Sequence, residues 1–210
     1  MNFNIILCDF NKEITNELQK LEKYDNVQVK CCYFQDLHQQ FDCIISPANS
    51  FGLMHGGADR HICNYFSSTE VFIPHIQNQL SKISNKQQMP GTALLLSTGN
   101  SVCPYLLHSP TMMVPSNITD RSVIYWCCWN IFNTVNTHNI SFPTNKIKTI
   151  CIPSLGTGAG NVSGKHYCEL FNLAYTHFIK LLNKKNNISW GNGGSENYKQ
   201  LQDLLQSQNY

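Results

Sequence analysis

Two glycine-rich loops constrain this chain more than any other feature, because each directly follows a short apolar run. The first starts as Ser46-Pro47-Ala48-Asn49-Ser50, behind Cys43-Ile44-Ile45, and continues to His55-Gly56-Gly57-Ala58-Asp59. The second, Pro153-Ser154-Leu155-Gly156-Thr157-Gly158-Ala159-Gly160-Asn161, follows the run at 149–152. Short β-branched runs read as buried strands, and helical periodicity resumes after each loop, so both loops are predicted at strand-to-helix junctions. In open α/β sheets ligands bind beyond the carboxyl ends of the strands. Glycines there let backbone N–H groups approach phosphate oxygens, and the following helix N-terminus favours an anion. Neither loop continues into Gly-Lys-Ser/Thr, and the first strand-to-helix turn is Asp9-Phe10-Asn11-Lys12, so neither a P-loop nor a dinucleotide fingerprint is present.

The rest of the chain follows the same alternation. Strands are predicted at 3–9, 27–33, 43–45, 92–97, 105–108, 149–152 and 188–190. Helices are predicted at 12–21, 58–66, 74–83, 121–136, 164–183 and 196–206, with Pro74 opening one and Asp120 capping another. No internal repeat or linker interrupts the 210 residues. The predicted fold is a single α/β domain over 1–210: a three-layer α/β/α sandwich around a central mixed, largely parallel sheet.

Composition narrows the function classes. With 15 basic and 13 acidic residues the formal charge is +2, too small for a surface built to hold nucleic acid. The ten cysteines contain no Cys-x-x-Cys, so zinc ribbons and thioredoxin-type chemistry have no support, and no metal site is expected. Most lie among Ile, Leu, Val and Trp, where a thiol acts as a small apolar group. Trp126, Cys127, Cys128, Trp129 and Phe132, on one predicted helix, read as packing. There is no signal peptide and no membrane-length apolar stretch, so a reduced, cytoplasmic, monomeric protein is expected. Asn alone accounts for 24 residues, a bias of origin rather than function.

Taken in order, the motifs resemble those of a macrodomain, the ADP-ribose-binding module. Gln35-Asp36-Leu37 is similar to that family's Gly-Asp-Ile, and Ser46-Pro47-Ala48-Asn49 to its Asn-x-Ala-Asn. His55-Gly56-Gly57-Ala58-Asp59 resembles the glycine run that ends in Val-Asp. Pro90-Gly91-Thr92-Ala93, Leu107-His108-Ser109 and Gly156-Thr157-Gly158 resemble the Thr-Gly-Glu-Ala, Ile-His-Thr and Ser-Thr-Gly elements. The form Ser-Pro-Ala-Asn-Ser-Phe-Gly with Leu-Gly-Thr-Gly is similar to a largely microbial and phage-like branch.

The resemblance implies a ligand and a set of roles. Asp36 would accept a hydrogen bond from the adenine amine; read alone, it is a cap or loop carboxylate. Asn49 would hold the distal ribose; read alone, it is a turn former. Ala48, Gly56, Gly57 and Ala58 would line the diphosphate on one side, and Gly156, Thr157, Gly158, Ala159 and Gly160 on the other. Asp59 would position or activate water at the anomeric carbon, where bond breaking passes through an oxocarbenium-like state. An Asp at a helix start also complements the helix dipole, and the two roles are compatible. His55 and His61 flank this loop as acid–base candidates or surface residues, and Phe10 and Trp190 are candidates for the adenine face.

Some features depart from the family pattern. Ser46 stands where the first Asn is usual, Gln35 replaces Gly, and Gly160-Asn161 replaces an aromatic after the second loop. No glutamate pair follows Gly57 and no Lys lies in the first loop, which disfavours the poly(ADP-ribose) glycohydrolase and lysine-nucleophile routes. The expected function is binding of ADP-ribose, or of an ADP-ribosylated protein or nucleotide, with metal-free and cofactor-free hydrolysis of an ADP-ribosyl linkage by Asn49 and Asp59. The alternatives are a non-catalytic reader of ADP-ribose or a related nucleotide signal, and a structural component with a degenerate pocket.

Overall fold

A computed structural model describes residues 1–84, 87–183 and 193–208. The predicted strand at 188–190, and with it Trp190, lies outside them. The strands are β1 (Asn4–Asp9), β2 (Val27–Cys31), β3 (Cys43–Ser46), β4 (Leu94–Ser97), β5 (Tyr105–His108) and β6 (Thr149–Pro153). The helices are α1 (Lys12–Leu18), α2 (Gly57–Phe66), α3 (Thr69–Ser84), α4 (Ser122–Ser141), α5 (Gly164–Asn183) and α6 (Gly193–Ser207).

The strands form one six-stranded sheet in the order β2-β1-β6-β3-β5-β4. All neighbours run parallel except β4, which pairs antiparallel with β5 at the edge. Side-chain alternation along the strands divides the core in two. Ile5, Leu7, Ile45, Leu107, Ile150 and Ile152 pack against α1, α4, α5 and α6. Ile6, Cys8, Ile44, Leu106 and Cys151 point the other way, against α2 and α3. Two apolar faces on every central strand require helices on both sides, which is the predicted three-layer sandwich.

Local differences from the sequence expectations have local causes. The first helix stops at Leu18 and tightens into a 3-10 turn, Gln19–Lys23, that feeds β2. Pro74 lies inside α3 rather than opening it: Val71 and Phe72 bond back to the Ser68 carbonyl, so the helix has begun five residues earlier. Asp120 does cap α4, accepting from the Ser122 amide at 2.9 Å. Trp126 is not core: it is 44% exposed, while Cys127, Cys128 and Phe132 beside it are sealed. Among the described residues no helix is long and apolar enough to cross a membrane.

The strand order fixes where a ligand can bind. β6, the last strand in sequence among the described residues, is inserted between β1 and β3, so connections leave in opposite directions from the two sides of it. A crevice opens at the carboxyl ends of strands where such a reversal occurs. The loops after β1, β3, β5 and β6 all reach that crevice.

Candidate functional site

A cleft of about 510 Å³ occupies this crevice. One wall is the start of α2. Gly56 precedes it in extended conformation, and Gly57 enters it at φ +54°, a geometry suited to glycine. The first amides of a helix have no intrahelical partner, and those of Gly57, Ala58 and Asp59 border the cleft. The opposite wall is the loop after β6. It closes on itself through Asn161 N–H to Gly158 O (3.0 Å) and Val162 N–H to Gly156 O (3.1 Å). The amides of Thr157, Gly158, Ala159 and Gly160 are left without backbone partners among the described residues.

Two hydroxyls add to this array. Thr111, after β5, and Ser154, after β6, line the cleft, are buried, and have side-chain oxygens with no hydrogen-bond partner among the described residues. No Lys or Arg lines the cleft among the described residues. Its capacity for anions therefore rests on N–H and O–H dipoles and on a helix end. No group of three or more His, Cys, Asp and Glu residues among those described converges as metal ligands would.

Asp59, in the first turn of α2, is the buried carboxylate of the site at 7% exposure. The hydroxyl of Ser46, at the end of β3, donates to its Oδ1 at 2.6 Å. Burial outweighs the opposing Ser46 hydrogen bond and raises the Asp59 carboxyl from 3.8 to about 7. A carboxyl poised there exists in both protonation states near neutrality, which is what acid–base work requires. Asn49 also borders the cleft, but its carboxamide first builds the loop. Oδ1 accepts from Phe51 N–H (3.0 Å) and Leu53 N–H (3.2 Å), and Nδ2 donates to Leu53 O (3.0 Å). One Nδ2 hydrogen remains for anything in the cleft. Ala48 is held by Thr111 N–H to its carbonyl at 3.1 Å, which ties the loops after β3 and β5 together.

The far end is aromatic. Phe10 stacks on Tyr33 at 4.8 Å and 20°, and Tyr33 meets His61 at 5.2 Å and 35°. All three rings line the cleft, and Phe10 keeps 62% of its surface exposed. Asp36 does not line it; it lies exposed at the end of a 3-10 turn, Phe34–Asp36, directly beyond Tyr33. His55 stays outside, and of the Met112-Met113 pair only Met112 faces in.

The sequence reading placed Ala48, Asn49, Gly56, Gly57, Ala58, Asp59 and the 156–160 loop at one site, and the fold brings them all together. It missed Cys8, Asp9, Asn11 and Tyr33, whose strands carry no glycine signal, and the hydroxyls of Thr111 and Ser154. An aromatic within two residues of the end of each of the first two strands, Phe10 and Tyr33, is the available clue.

The family model described as Macro domain matches residues 45–171, more than half of the chain. Solved structures share the fold. The macrodomain of Mycobacterium tuberculosis DarG is 15% identical with a TM-score of 0.53, over 67% of this chain and 84% of that one. A variant Oceanobacillus iheyensis macrodomain with ADPR is 14% identical with a TM-score of 0.56, over 84% and 89%. The same organism's macrodomain with ADP is 14% identical with a TM-score of 0.53, over 80% and 87%.

Proposed function

As this chain belongs to the macro domain family, we propose that its cleft binds ADP-ribose and hydrolyses an ADP-ribosyl linkage at the end where Asp59 lies. The observation that carries this reading is Asp59 itself, a buried, near-neutral carboxyl between two walls of unpartnered amides. The diphosphate lies between the α2 amides and the 157–160 amides, with the Thr111 and Ser154 hydroxyls as further donors. The base lies on the Phe10–Tyr33 face. The distal ribose then reaches Asn49, whose remaining N–H meets a ribose hydroxyl.

Hydrolysis replaces the bond from the anomeric carbon to the carrier with a bond to water. Asp59, as carboxylate, faces the oxocarbenium-like charge as the bond to the carrier breaks, takes the proton of the attacking water, and passes that proton to the departing carrier. Ser46 holds the carboxylate in place. A second reading, binding without turnover, is favoured by Asn49, whose amide is mostly spent on its own loop.

Calorimetric titration with ADP-ribose tests both readings at once, and no heat at millimolar ligand sinks both. With no Lys or Arg among the described residues that line the cleft, the affinity is expected to change by less than about threefold between 0.05 and 0.5 M salt, since there is no long-range charge pair to screen. Release of ADP-ribose from a mono-ADP-ribosylated substrate then separates them: release by the wild type and not by Asp59→Ala marks an enzyme. Asp36, just beyond the aromatic wall, accepts the amine at the base edge, and Asp36→Ala is expected to weaken binding about tenfold. Unchanged affinity there, with a loss in Asp9→Asn instead, transfers the role to the carboxylate that lines the cleft.

A further inference from the structure

β1 and β2 bring thiols as well as rings to the cleft. Cys8, near the end of β1, and Cys32, directly after β2, both line it. Their sulfurs lie 3.9 Å apart, and the Cys8 thiol also donates to the Cys32 carbonyl oxygen at 3.1 Å. Cys151 on β6 packs in the same core cluster and hydrogen-bonds the Cys8 sulfur. Three thiols thus form one cluster under the aromatic wall. Of the other seven cysteines, Cys43, Cys63, Cys103, Cys127, Cys128 and Cys168 are buried, and Cys31 is exposed; none of these lines the cleft.

The cluster is chemically asymmetric. The hydrogen bond from Cys151, joined by that from Cys32, outweighs burial and holds the Cys8 thiol below its ordinary range. Desolvation first, and the neighbouring Cys8 next, push Cys32 up to about 11. One sulfur is therefore the better nucleophile and its neighbour remains a protonated thiol, the division of labour a dithiol oxidation needs.

We propose that Cys8 and Cys32 are a redox-sensitive dithiol in the wall of the ligand cleft, converted to a disulfide by hydroperoxides. The Cys8 thiolate attacks the terminal peroxide oxygen; the S–O bond forms, the O–O bond breaks, and the other oxygen leaves as an alcohol after taking a proton. The Cys32 sulfur then attacks the sulfenic sulfur; the S–S bond forms, the S–O bond breaks, and hydroxide leaves as water with the Cys32 proton. Two thiols lose two electrons, which the peroxide gains, so dithiol and hydroperoxide become disulfide, alcohol and water.

Closure has a consequence for the cleft. Bringing the sulfurs from 3.9 Å to a bond of about 2.05 Å draws the segment after β2 onto β1. Tyr33 is the next residue, and its partner Phe10 is two beyond Cys8, so the stack that forms the aromatic wall shifts with the bond. On the reading that this wall holds the base of ADP-ribose, the oxidised chain binds that ligand about tenfold or more weakly.

The test treats the reduced full chain with a small excess of hydrogen peroxide, alkylates it, and maps the peptides. ADP-ribose affinity is measured before oxidation, after it, and after dithiothreitol. The expected result is a Cys8–Cys32 linkage with loss of two hydrogens, weaker binding, and recovery on reduction. Cys32→Ser is expected to stop at a Cys8 sulfenic acid that dimedone traps, whereas Cys31→Ser still forms the linkage. Oxidation confined to Cys31, or a linkage between other cysteines, overturns the proposal. Linkage with unchanged affinity overturns the coupling to the wall. A reduced chain that ignores ADP-ribose ends the functional reading instead, and the peptide map still decides the dithiol.

Discussion

Replacing Asp59 with Asn is expected to lower the proposed ADP-ribosyl turnover by more than about 100-fold and to make the chain more stable than the wild type above pH 7. The two effects have one cause. Burial raises the Asp59 carboxyl from 3.8 to about 7, so the folded state binds its proton more tightly than the unfolded state does. Such a group favours folding fully below pH 3.8, and that contribution is lost as pH rises through about 7. A shift of this size corresponds to about 4 kcal/mol. Asn keeps an oxygen for the Ser46 hydroxyl and carries no charge, so at pH 8 the variant is expected to gain about 3 kcal/mol or more.

A second buried group makes the pH dependence diagnostic. His108, on β5, donates from Nδ1 to Gln88 Oε1 at 2.6 Å, and its buried Nε2 has no partner among the described residues. Burial lowers it from 6.5 to about 4, so its folded form refuses a proton that the unfolded chain accepts. Its cost appears as pH falls from 6.5 to 4 and reaches about 3 kcal/mol. In the wild type the Asp59 and His108 titrations run in opposite directions through the same window and offset each other. In Asp59→Asn that offset is gone, and His108, with the likewise lowered His166 and His177, makes stability fall steeply on acidification. Urea unfolding at pH 8 and pH 4.5 measures both limbs. Equal stability of the two chains at pH 8 contradicts the argument. The rate profile of the wild type is expected to rise through about pH 7 as the carboxylate forms.

The strands and the two loops could be read from local signals because their causes are local. Pro47 and Pro153 stop apolar runs, glycines follow, and helical periodicity resumes. The sheet order could not be read so, because inserting β6 between β1 and β3 is decided by packing across more than a hundred residues. That insertion is also what makes the β1 and β2 ends part of the site. The family match begins at residue 45, yet Asp9, Phe10, Asn11 and Tyr33 from the preceding segment build the aromatic end of the cleft. No motif predicts this; it follows from β1 standing next to β6. Asp36 shows the converse. Its position in the motif order matches the family, but the 3-10 turn that carries it leaves its side chain outside the cleft lining. Asn49 lies between the two cases, since the turn-forming reading and the cleft-facing position are both realised in one side chain.

Among the loop glycines, substitution by Ala is expected to separate folding from binding. At Gly160 a Cβ would lie 2.5 Å from the Gly156 carbonyl oxygen and 2.6 Å from Ile118 Cδ1. The oxygen cannot retreat cheaply, because Gly156 also accepts the Val162 N–H that closes the loop, and Ile118 N–H donates to the Gly160 carbonyl at 2.9 Å. Gly160→Ala therefore costs about 3 kcal/mol, seen as a fall of roughly 7 °C in Tm for a domain of this size. At Gly158 a Cβ meets nothing within 4 Å, because the residue faces the open cleft. Gly158→Ala is expected to leave Tm within about 1 °C, but its methyl group would stand where the proposed diphosphate approaches the 157–160 amides. Loss of even one or two of those charge-assisted hydrogen bonds lowers ADP-ribose affinity by about 30-fold. Thermal unfolding and calorimetry on the two variants give opposite patterns if Gly160 closes the loop and Gly158 faces the ligand. A stable Gly160→Ala, or a Gly158→Ala that binds like the wild type, breaks that division of labour.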